Sequence, residues 1–309
     1  MWIDEYNHLM FKSINNDYDT IKAAILKNQY MPEIVYKYRS ISDRNLDALE
    51  NNFLMAASPS TLNDPYEGAL YIDYKNRWKI VYERLIKSFY EKTGYQLAIE
   101  IENINDSDTL FYELMNCLGI PSTDFEFWRN YYNVTNEMLE QKLLEMQNEI
   151  KLIGDDLHRV CSFSQSNGSN PMWAHYGDNF KGYCVGYNFK ENNNDLTDLL
   201  LPVRYTDSFL ELDDTFFDGS PINKSILMDS LTRKSTQWNY EEEWRLLMQS
   251  DNSGLHQKVQ LPNPKVIILG KDISEANQER LVSIADKIHT KCLKQRNRLN
   301  TYCYELVEL

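Results

Sequence analysis

The chain has 309 residues, a mass of 36.5 kDa, a formal charge of −14 and a sequence pI near 4.9. Hydrophobic residues at 42% and aromatic residues at 13% favour a packed globular protein and exclude a largely disordered one. The acidic balance argues against nucleic-acid binding driven by broad electrostatic attraction, although it is compatible with a local basic groove.

The sequence also argues against membrane insertion and against a disulfide or metal framework. No stretch approaches the roughly 20 apolar residues that cross a bilayer, and the opening MWIDEYNHLMFK does not have the charge and apolar pattern of a signal peptide. We therefore expect a soluble, cytoplasmic protein that does not bind membranes. The five cysteines form no C-x-x-C pair, and the five histidines are scattered. Reduced thiols and no bound metal are the expectation.

The first third of the chain combines a helical start with two short strands. Apolar residues at helical spacing over residues 1–30 predict a helical N-terminal arm or hairpin, and we expect residues 31–309 to form one α+β domain. The predicted elements that follow are a strand over 34–39 that ends at Arg39, a helix over 42–52, a strand over 53–57 and a turn-rich loop over 63–68.

A long helical pattern from about residue 78 to residue 155 predicts a helical insertion in this domain. Strands return after it, with one short helix carrying Trp173 and a later amphipathic helix over 275–291. The predicted strands cover residues 160–164, 182–189, 201–205, 238–248, 265–269 and 301–306. This order predicts an α+β fold with a split mixed or antiparallel sheet.

The segment Trp238–Arg245 concentrates carboxylates, indoles and an arginine in eight residues. Interpreted as a strand, it divides its side chains between two faces: Trp238, Tyr240 and Trp244 on one, and Glu241, Glu243 and Arg245 on the other. Two glutamates backed by an aromatic core, with Arg245 as a brace, would suit a catalytic edge. The alternative is an exposed helix in which Glu241 and Arg245 form an i,i+4 ion pair.

Three short motifs occur in an order that has a known counterpart. Arg39 ends an early strand, Ser162-Phe163-Ser164 follows in the middle of the chain, and Glu241-Glu242-Glu243 comes late. This order resembles the arginine-serine-glutamate class of ADP-ribosyltransferases. The resemblance implies a split α+β core that uses NAD as its substrate and transfers ADP-ribose to a macromolecular acceptor, protein or nucleic acid. Residues 40–161 make a longer separation than is usual in that class, and the helical insertion accounts for it.

Each motif has a role in that chemistry. Cleavage of the bond between nicotinamide and ribose passes through an oxocarbenium-like state, which a carboxylate such as Glu243 stabilises. Glu241 would orient or activate the nucleophile. The fork of Arg39 would bind the pyrophosphate. The hydroxyls of Ser162 and Ser164 would support the glutamate or the ribose.

A second resemblance covers more of the chain. Four blocks occur in order and are similar to the signature blocks of the bacterial domain-of-unknown-function family 2971: Tyr36–Ser40, Asn63–Glu67, Trp173–Tyr187 and Trp238–Arg245. Members of that family look like proteins of phage-defence and toxin-like settings. The resemblance therefore implies a toxin-like effector, with a neutralising antitoxin or a chaperone as a further partner.

Five other residues are candidates for the nucleotide pocket. They are Tyr38, the loop residues Asn63 and Asp64, and the short-helix residues Trp173 and Tyr176. Each has a structural alternative. Asn and Asp before proline are ordinary turn formers. Trp173 and Tyr176, three residues apart on a helix, would pack together in the core.

Two rival functions stay open at the level of sequence. One is a non-enzymatic module that senses a phage or nucleotide signal and acts through a partner, which the acidic, aromatic-rich composition and the long insertion favour. The other is a metal-dependent nuclease-like effector built on Asp64, Glu67 and the glutamate pair, although no ligand spacing supports it. Convergence of Arg39, Glu241 and Glu243 on one accessible pocket would favour the transferase, and their dispersal would argue against it.

Overall fold

A computed structural model describes residues 1–11, 19–94, 107–191, 195–212, 224–252 and 254–309. Parts of the predicted arm (12–18) and of the predicted insertion (95–106) lie outside the described residues. The chain divides into two compact units. The first comprises the described residues of Met1–Ala69, Lys151–Leu210 and Gly219–Leu309, and the second those of Leu70–Ile150 and Glu211–Asp218.

Most helices in the described part of the chain match predicted ones, whereas α8 and α9 have no predicted counterpart. They are α1 (Trp2–Met10), α2 (Thr20–Tyr30), α3 (Asp43–Glu50), α4 (Tyr74–Thr93), α5 (Ser107–Cys117), α6 (Phe125–Leu157), α7 (Asn170–His175), α8 (Leu196–Leu199), α9 (Lys224–Ser230) and α10 (Glu275–Lys287). The helical pattern predicted for residues 78–155 is confirmed by α4, α5 and α6. No helix of the described ranges has both the length and the apolar stretch that a membrane span requires.

The strands are more numerous than the sequence predicts. They are β1 (Val35–Arg39), β2 (Phe53–Ala57), β3 (Leu70–Tyr71), β4 (His158–Ser164), β5 (Tyr183–Tyr187), β6 (Leu200–Pro202), β7 (Arg204–Tyr205), β8 (Leu210–Glu211), β9 (Arg233–Lys234), β10 (Glu243–Gln249), β11 (His256–Gln260), β12 (Val266–Leu269), β13 (Lys291–Asn297) and β14 (Tyr304–Glu308).

One large mixed sheet forms the centre of the first unit. Its strands lie in the order β11-β2-β4-β1-β5-β12-β13-β14, and β10 pairs with both β4 and β6. Most neighbours are antiparallel, whereas β12 and β13 run parallel. The expectation of an α+β fold with a mixed sheet is confirmed.

The two faces of this sheet bury different clusters. Val35, Phe163 and Trp244 belong to the larger hydrophobic cluster on one face, which α3 and α10 also join. Tyr6 and Ala23 of the first two helices pack in a second cluster with Val160, Leu201, Leu231 and Leu247 of the sheet and its surroundings. The first two helices therefore belong to the first unit.

The prediction of one continuous strand over Trp238–Arg245 is wrong. A 3-10 helix, Thr236–Glu241, is followed by Glu242 in the left-handed region (φ 45°), and extended backbone begins only at Glu243. The left-handed residue ends the helical turn and starts the strand. The exposed-helix alternative is also wrong, because Arg245 is only 1% exposed. From Glu243 onward the predicted alternation of charged and aromatic residues is confirmed.

Strand β13 is an element that the sequence does not predict. Its residues, KCLKQRN, are mostly polar, and the predicted helix over 275–291 extends to its first residue. In the structure α10 ends at Lys287, and His289 adopts a left-handed backbone (φ 54°). Pairing on both sides, with β12 and β14, holds the polar segment in the sheet. Tertiary pairing thus overrides a weak local preference.

Substitution of Gly182, the residue immediately before β5, should lower the stability of the fold. A Cβ there would lie 2.1 Å from the carbonyl oxygen of Arg39, a backbone atom that cannot move aside cheaply. We expect Gly182→Ala to lower the free energy of unfolding by about 2 kcal/mol or more. Urea denaturation followed by circular dichroism measures this change.

The matched control is Gly154→Ala in α6, where an added Cβ meets only Leu227 at an ordinary 3.6 Å. Alanine favours helix over glycine by roughly 0.5–1 kcal/mol, so this variant should be neutral or slightly more stable. Equal behaviour of the two variants would contradict the close approach at Gly182.

Candidate functional site

A buried lysine joins the two candidate catalytic glutamates. Lys234 Nζ donates to Glu241 Oε2 in a very short contact and to Glu243 Oε2 at 3.0 Å. The three side chains are between 2% and 5% exposed. Because ions removed from water need compensation, this pairing keeps both carboxylates and the ammonium in the interior.

Arg245 holds the same glutamate from the other side. Its Nε and Nη2 donate to the two oxygens of Glu243 at 2.9 and 3.2 Å. Its Nη2 also donates to Glu67 Oε2 at 2.9 Å, and Nη1 donates to Glu67 Oε1 and to the carbonyl oxygen of Leu231. The planar fork thus pairs with two carboxylates at once. Arg245 braces Glu243, as the sequence predicts.

The backbone explains why these groups meet. In the pairing of β10 with β4, Glu243 lies opposite Ser164 and Arg245 opposite Ser162, so all four share one face of the sheet. The hydroxyl of Ser162 hydrogen-bonds the carboxylate of Glu243. The left-handed residue before β10 brings Glu241 to the same lysine, although it belongs to the preceding 3-10 helix.

A line of hydrogen bonds connects this buried cluster to the surface. Asn63, which is exposed, donates from Nδ2 to Tyr176 Oη at 2.5 Å. The Tyr176 hydroxyl donates in turn to Glu241 Oε1 at 2.7 Å. Glu241 is therefore the glutamate with a hydrogen-bonded route to solvent.

The pKa values of the two carboxylates that pair with Arg245 shift in opposite directions. Burial opposes ionisation of Glu243, but Arg245 and Lys234 outweigh it and hold its pKa at about 2. Burial raises the pKa of Glu67 and exceeds the opposing effect of Arg245. The cations therefore hold Glu243 in its ionised form, whereas the raised pKa of Glu67 makes that carboxylate easier to protonate than an ordinary glutamate.

A cavity of about 320 Å³ borders the cluster, and Lys234 is part of its wall. Two half-exposed aromatic rings, acidic side chains and several hydroxyls share this wall. The lining residues are Asp64, Tyr66, Ala69, Thr206, Asp207, Ser208, Phe209, Ser230, Arg233, Lys234, Ser235 and Gln237. Lys234 therefore lies between this cavity and the glutamate pair that it contacts.

Arg39 is not part of this arrangement. Tyr36 lies opposite Ser164 in the pairing of β1 with β4, so Tyr36 shares the face of Glu243 and Arg39 points to the other face. There Arg39 neighbours Lys37, whose pKa is lowered to about 8 by burial and then by the Arg39 charge. Arg39 and Glu243 therefore lie on opposite faces of the sheet.

The aromatic candidates divide into core and surface. Trp173 is fully buried, and its ring meets Tyr38 edge-on with centroids 5.1 Å apart, so neither ring offers a face to a ligand. The Tyr38 hydroxyl donates to the carbonyl oxygen of Ser166. Ser164 Oγ accepts the Ser166 N–H at 3.1 Å. Only Tyr176 among these side chains contacts a glutamate.

Sequence reasoning misses Lys234. It stands in a segment with no motif, and only the short parallel pairing of β7 with β9 positions it under the glutamates. Within the described ranges, no group of three or more His, Cys, Asp or Glu side chains is placed to hold a metal ion.

Comparison with known proteins found a family similarity over part of the chain. Residues 172–246 match the family model described as "Protein of unknown function (DUF2971)". Over these residues the chain is similar to that family. No curated protein and no solved structure matched the chain. The DUF2971 segment contains Tyr176, Lys234, Glu241, Glu243 and Arg245, which are most of the buried cluster.

Removal of the shared lysine should be costly. In Lys234→Met two buried carboxylates lose their common partner, and we expect the free energy of unfolding to fall by about 3–5 kcal/mol. The control is Lys22→Met, which removes an exposed pair with Asp19 and should cost about 0.5 kcal/mol or less. Urea titration of both variants measures the difference, and similar small losses would contradict a tightly paired cluster.

The low pKa of Glu243 predicts a pH dependence of stability. Because the folded pKa lies below its ordinary value of 4.5, the ion pairs stabilise the fold above pH 4.5, and this contribution is lost as the pH falls toward 2. Between about pH 5 and pH 3, wild type should lose about 2 kcal/mol more than Glu243→Gln.

Urea denaturation at several pH values measures this slope. Glu242→Gln, which changes the exposed neighbour, should keep the wild-type slope. Parallel slopes for wild type and Glu243→Gln would show that Glu243 has an ordinary pKa. Glu67 acts in the opposite sense, because its raised pKa makes its contribution disappear as the pH rises.

Proposed function

We propose that the chain is an ADP-ribosyltransferase-like enzyme that cleaves NAD and passes ADP-ribose to a macromolecular acceptor, protein or nucleic acid. The observation that carries the proposal is the contact of both glutamates with one lysine, Lys234 Nζ. It brings to one point two carboxylates from different backbone segments. Paired carboxylates are what cleavage of a ribosyl bond requires.

Glu243 is suited to stabilise positive charge. Its carboxylate is ionised at neutral pH, since Arg245 and Lys234 hold its pKa at about 2 despite burial. An anion fixed beside the ribose favours the oxocarbenium-like state that forms as nicotinamide leaves. Ser162 fixes the carboxylate further through its hydroxyl.

Glu241 is suited to the second step. Its Oε1 accepts the Tyr176 hydroxyl, which also meets the exposed Asn63. In the proposed reaction Glu241 accepts a proton from the nucleophile of the acceptor, and the Tyr176 hydroxyl relays it. The nucleophile then forms the bond to the ribose carbon that nicotinamide has left.

The cations of the proposed site differ from those that the sequence suggests. Arg39 lies on the opposite face of the sheet, whereas Arg233 and Lys234 line the cavity beside the glutamates. The proposal therefore gives Arg39 no part in binding the pyrophosphate. A toxin-like role in antiphage defence, with an antitoxin or chaperone as partner, rests on the sequence resemblance.

A second candidate is a non-enzymatic nucleotide sensor. It is favoured by the nearly complete burial of Glu241 and Glu243, at 5% and 2% side-chain exposure, and by the position of Arg39. In this case the ion cluster only supports the cavity, and ligand binding is the whole function. Turnover of NAD separates the two candidates.

The test is incubation of the protein with NAD labelled in the adenylate part and with a cell lysate. Release of nicotinamide and transfer of label are measured. We expect Glu243→Gln to reduce both by about 100-fold or more, because a fixed transition-state charge contributes on that order. Glu241→Gln should reduce transfer more than nicotinamide release, since it serves the second step.

Two variants serve as controls. Glu242→Gln changes the exposed residue between the two glutamates and should keep wild-type activity. Arg39→Lys should also keep it, because Arg39 lies on the other face. Absence of turnover in wild type, together with measurable binding of ADP-ribose, would favour the sensor and contradict the transferase.

A further inference from the structure

We propose that the cavity beside Lys234 is a binding subsite for a positively charged planar aromatic ring. This deepens the proposed function and rests on it in one respect: if NAD is the substrate, the ring is its nicotinamide, a pyridinium cation in the oxidised form. Three features of the cavity wall support this subsite: two exposed aromatic rings, two carboxylates, and cations that are already paired with carboxylates of the protein.

Two aromatic rings line the cavity and remain open to water. Tyr66 is 62% exposed and Phe209 is 47% exposed, with centroids 5.7 Å apart and planes inclined by 37°. Paired rings with uncovered faces offer a stacking surface for another planar group. The negative face of each ring also attracts a cation, and desolvation strengthens that attraction.

Two carboxylates in the wall each have an oxygen that no described residue contacts by a hydrogen bond. Asp64 is 5% exposed, its Oδ1 accepts the Tyr66 N–H at 2.9 Å, and its Oδ2 has no such bond. Asp207 Oδ1 accepts hydrogen bonds from the Thr236 hydroxyl at 2.6 Å and from the Thr236 backbone N–H at 3.2 Å. Asp207 Oδ2, like Asp64 Oδ2, has no hydrogen bond from a described residue. These oxygens can accept hydrogen bonds from a carboxamide or compensate a ring cation.

The cations of the wall are already compensated within the protein. Arg233 pairs with Asp229 through two hydrogen bonds of 2.9 and 3.0 Å. Lys234 pairs with both glutamates. The charge left facing the cavity is therefore that of Asp64 and Asp207, so the cavity favours a cation and disfavours an anion.

The size and position of the cavity agree with this assignment. Its volume of about 320 Å³ is at the small end of the range of roughly 300–1,000 Å³ for ligand pockets, which suits one ring with its attached sugar rather than a whole dinucleotide. Lys234 forms part of the wall and contacts the carboxylates of Glu241 and Glu243. A ring in this cavity would therefore lie on the lysine side of the glutamate pair.

Three ligands of one shape and different charge test the subsite. They are 1-methylnicotinamide, nicotinamide and nicotinate, which carry a positive, a zero and a negative charge. Binding to the full chain is measured by titration calorimetry or by ligand-observed NMR. We expect 1-methylnicotinamide to bind at least about tenfold more tightly than nicotinate, with nicotinamide between them, because of the uncompensated carboxylates.

Variants of the wall assign the effect to its residues. Asp64→Asn keeps the turn that Oδ1 forms with Tyr66 and should reduce the preference for the cation severalfold. Phe209→Leu should weaken binding of 1-methylnicotinamide about fivefold to tenfold, because a stacking surface is lost. Tyr302→Ala removes a fully exposed ring that does not line the cavity and should change nothing. Unchanged thermal unfolding of each variant shows that the fold is intact.

The outcomes separate this inference from the proposed function. The subsite would be overturned if nicotinate bound as tightly as 1-methylnicotinamide. It would also be overturned if Asp64→Asn and Phe209→Leu left the binding unchanged. Turnover of NAD that depends on Glu243 but not on Asp64 or Phe209 would also overturn it, while the proposed function would stand. Selective binding of the cation without any turnover of NAD would support the subsite and contradict the transferase.

Discussion

The ion pairing of Arg245 is the constraint on which this part of the fold depends. A guanidinium that is 1% exposed must have its charge and its donors satisfied by the protein, since the loss of hydration is costly. Glu243 and Glu67 do so from a strand and a loop, and Lys234 extends the network from a third segment. Removal of any one member takes a partner away from at least one buried charge, so the network opposes separation of these segments.

The same network determines what chemistry the site could perform. It keeps Glu243 ionised and immobile, whereas Glu241 keeps a hydrogen-bonded route to the surface through Tyr176. The cavity lies beside Lys234, so a ligand would meet the glutamate pair from the lysine side. In the proposed reaction, this division gives Glu243 an electrostatic role and Glu241 a proton-transfer role. The same network favours the non-enzymatic sensor as the alternative function, since a buried glutamate can have a purely structural role.

Local patterns predict much of the fold, and the failures have physical causes. Strand β1 and the short helix before β5 follow from strong local preferences. The helical turn before Glu243 does not, because one left-handed residue, Glu242, breaks a segment that is otherwise typical of a strand. Strand β13 is polar, and only its pairing with both neighbours holds it in the sheet. Non-local pairing of this kind has no signature in a single sequence.

The sequence by itself determined the α+β class, the helical segment in the middle of the chain, the resemblance to DUF2971 and the alternation that sets Glu243 and Arg245 apart from Trp244. Period and composition carry those features along the chain. Only the tertiary structure decided which charges meet. The register between strands placed Arg39 on the face opposite to Glu243 and placed Ser162 on the same face as Glu243. Lys234, which belongs to no sequence motif, became the centre of the site. The reason is that pairing across the sheet, and not distance along the chain, determines which side chains share a face.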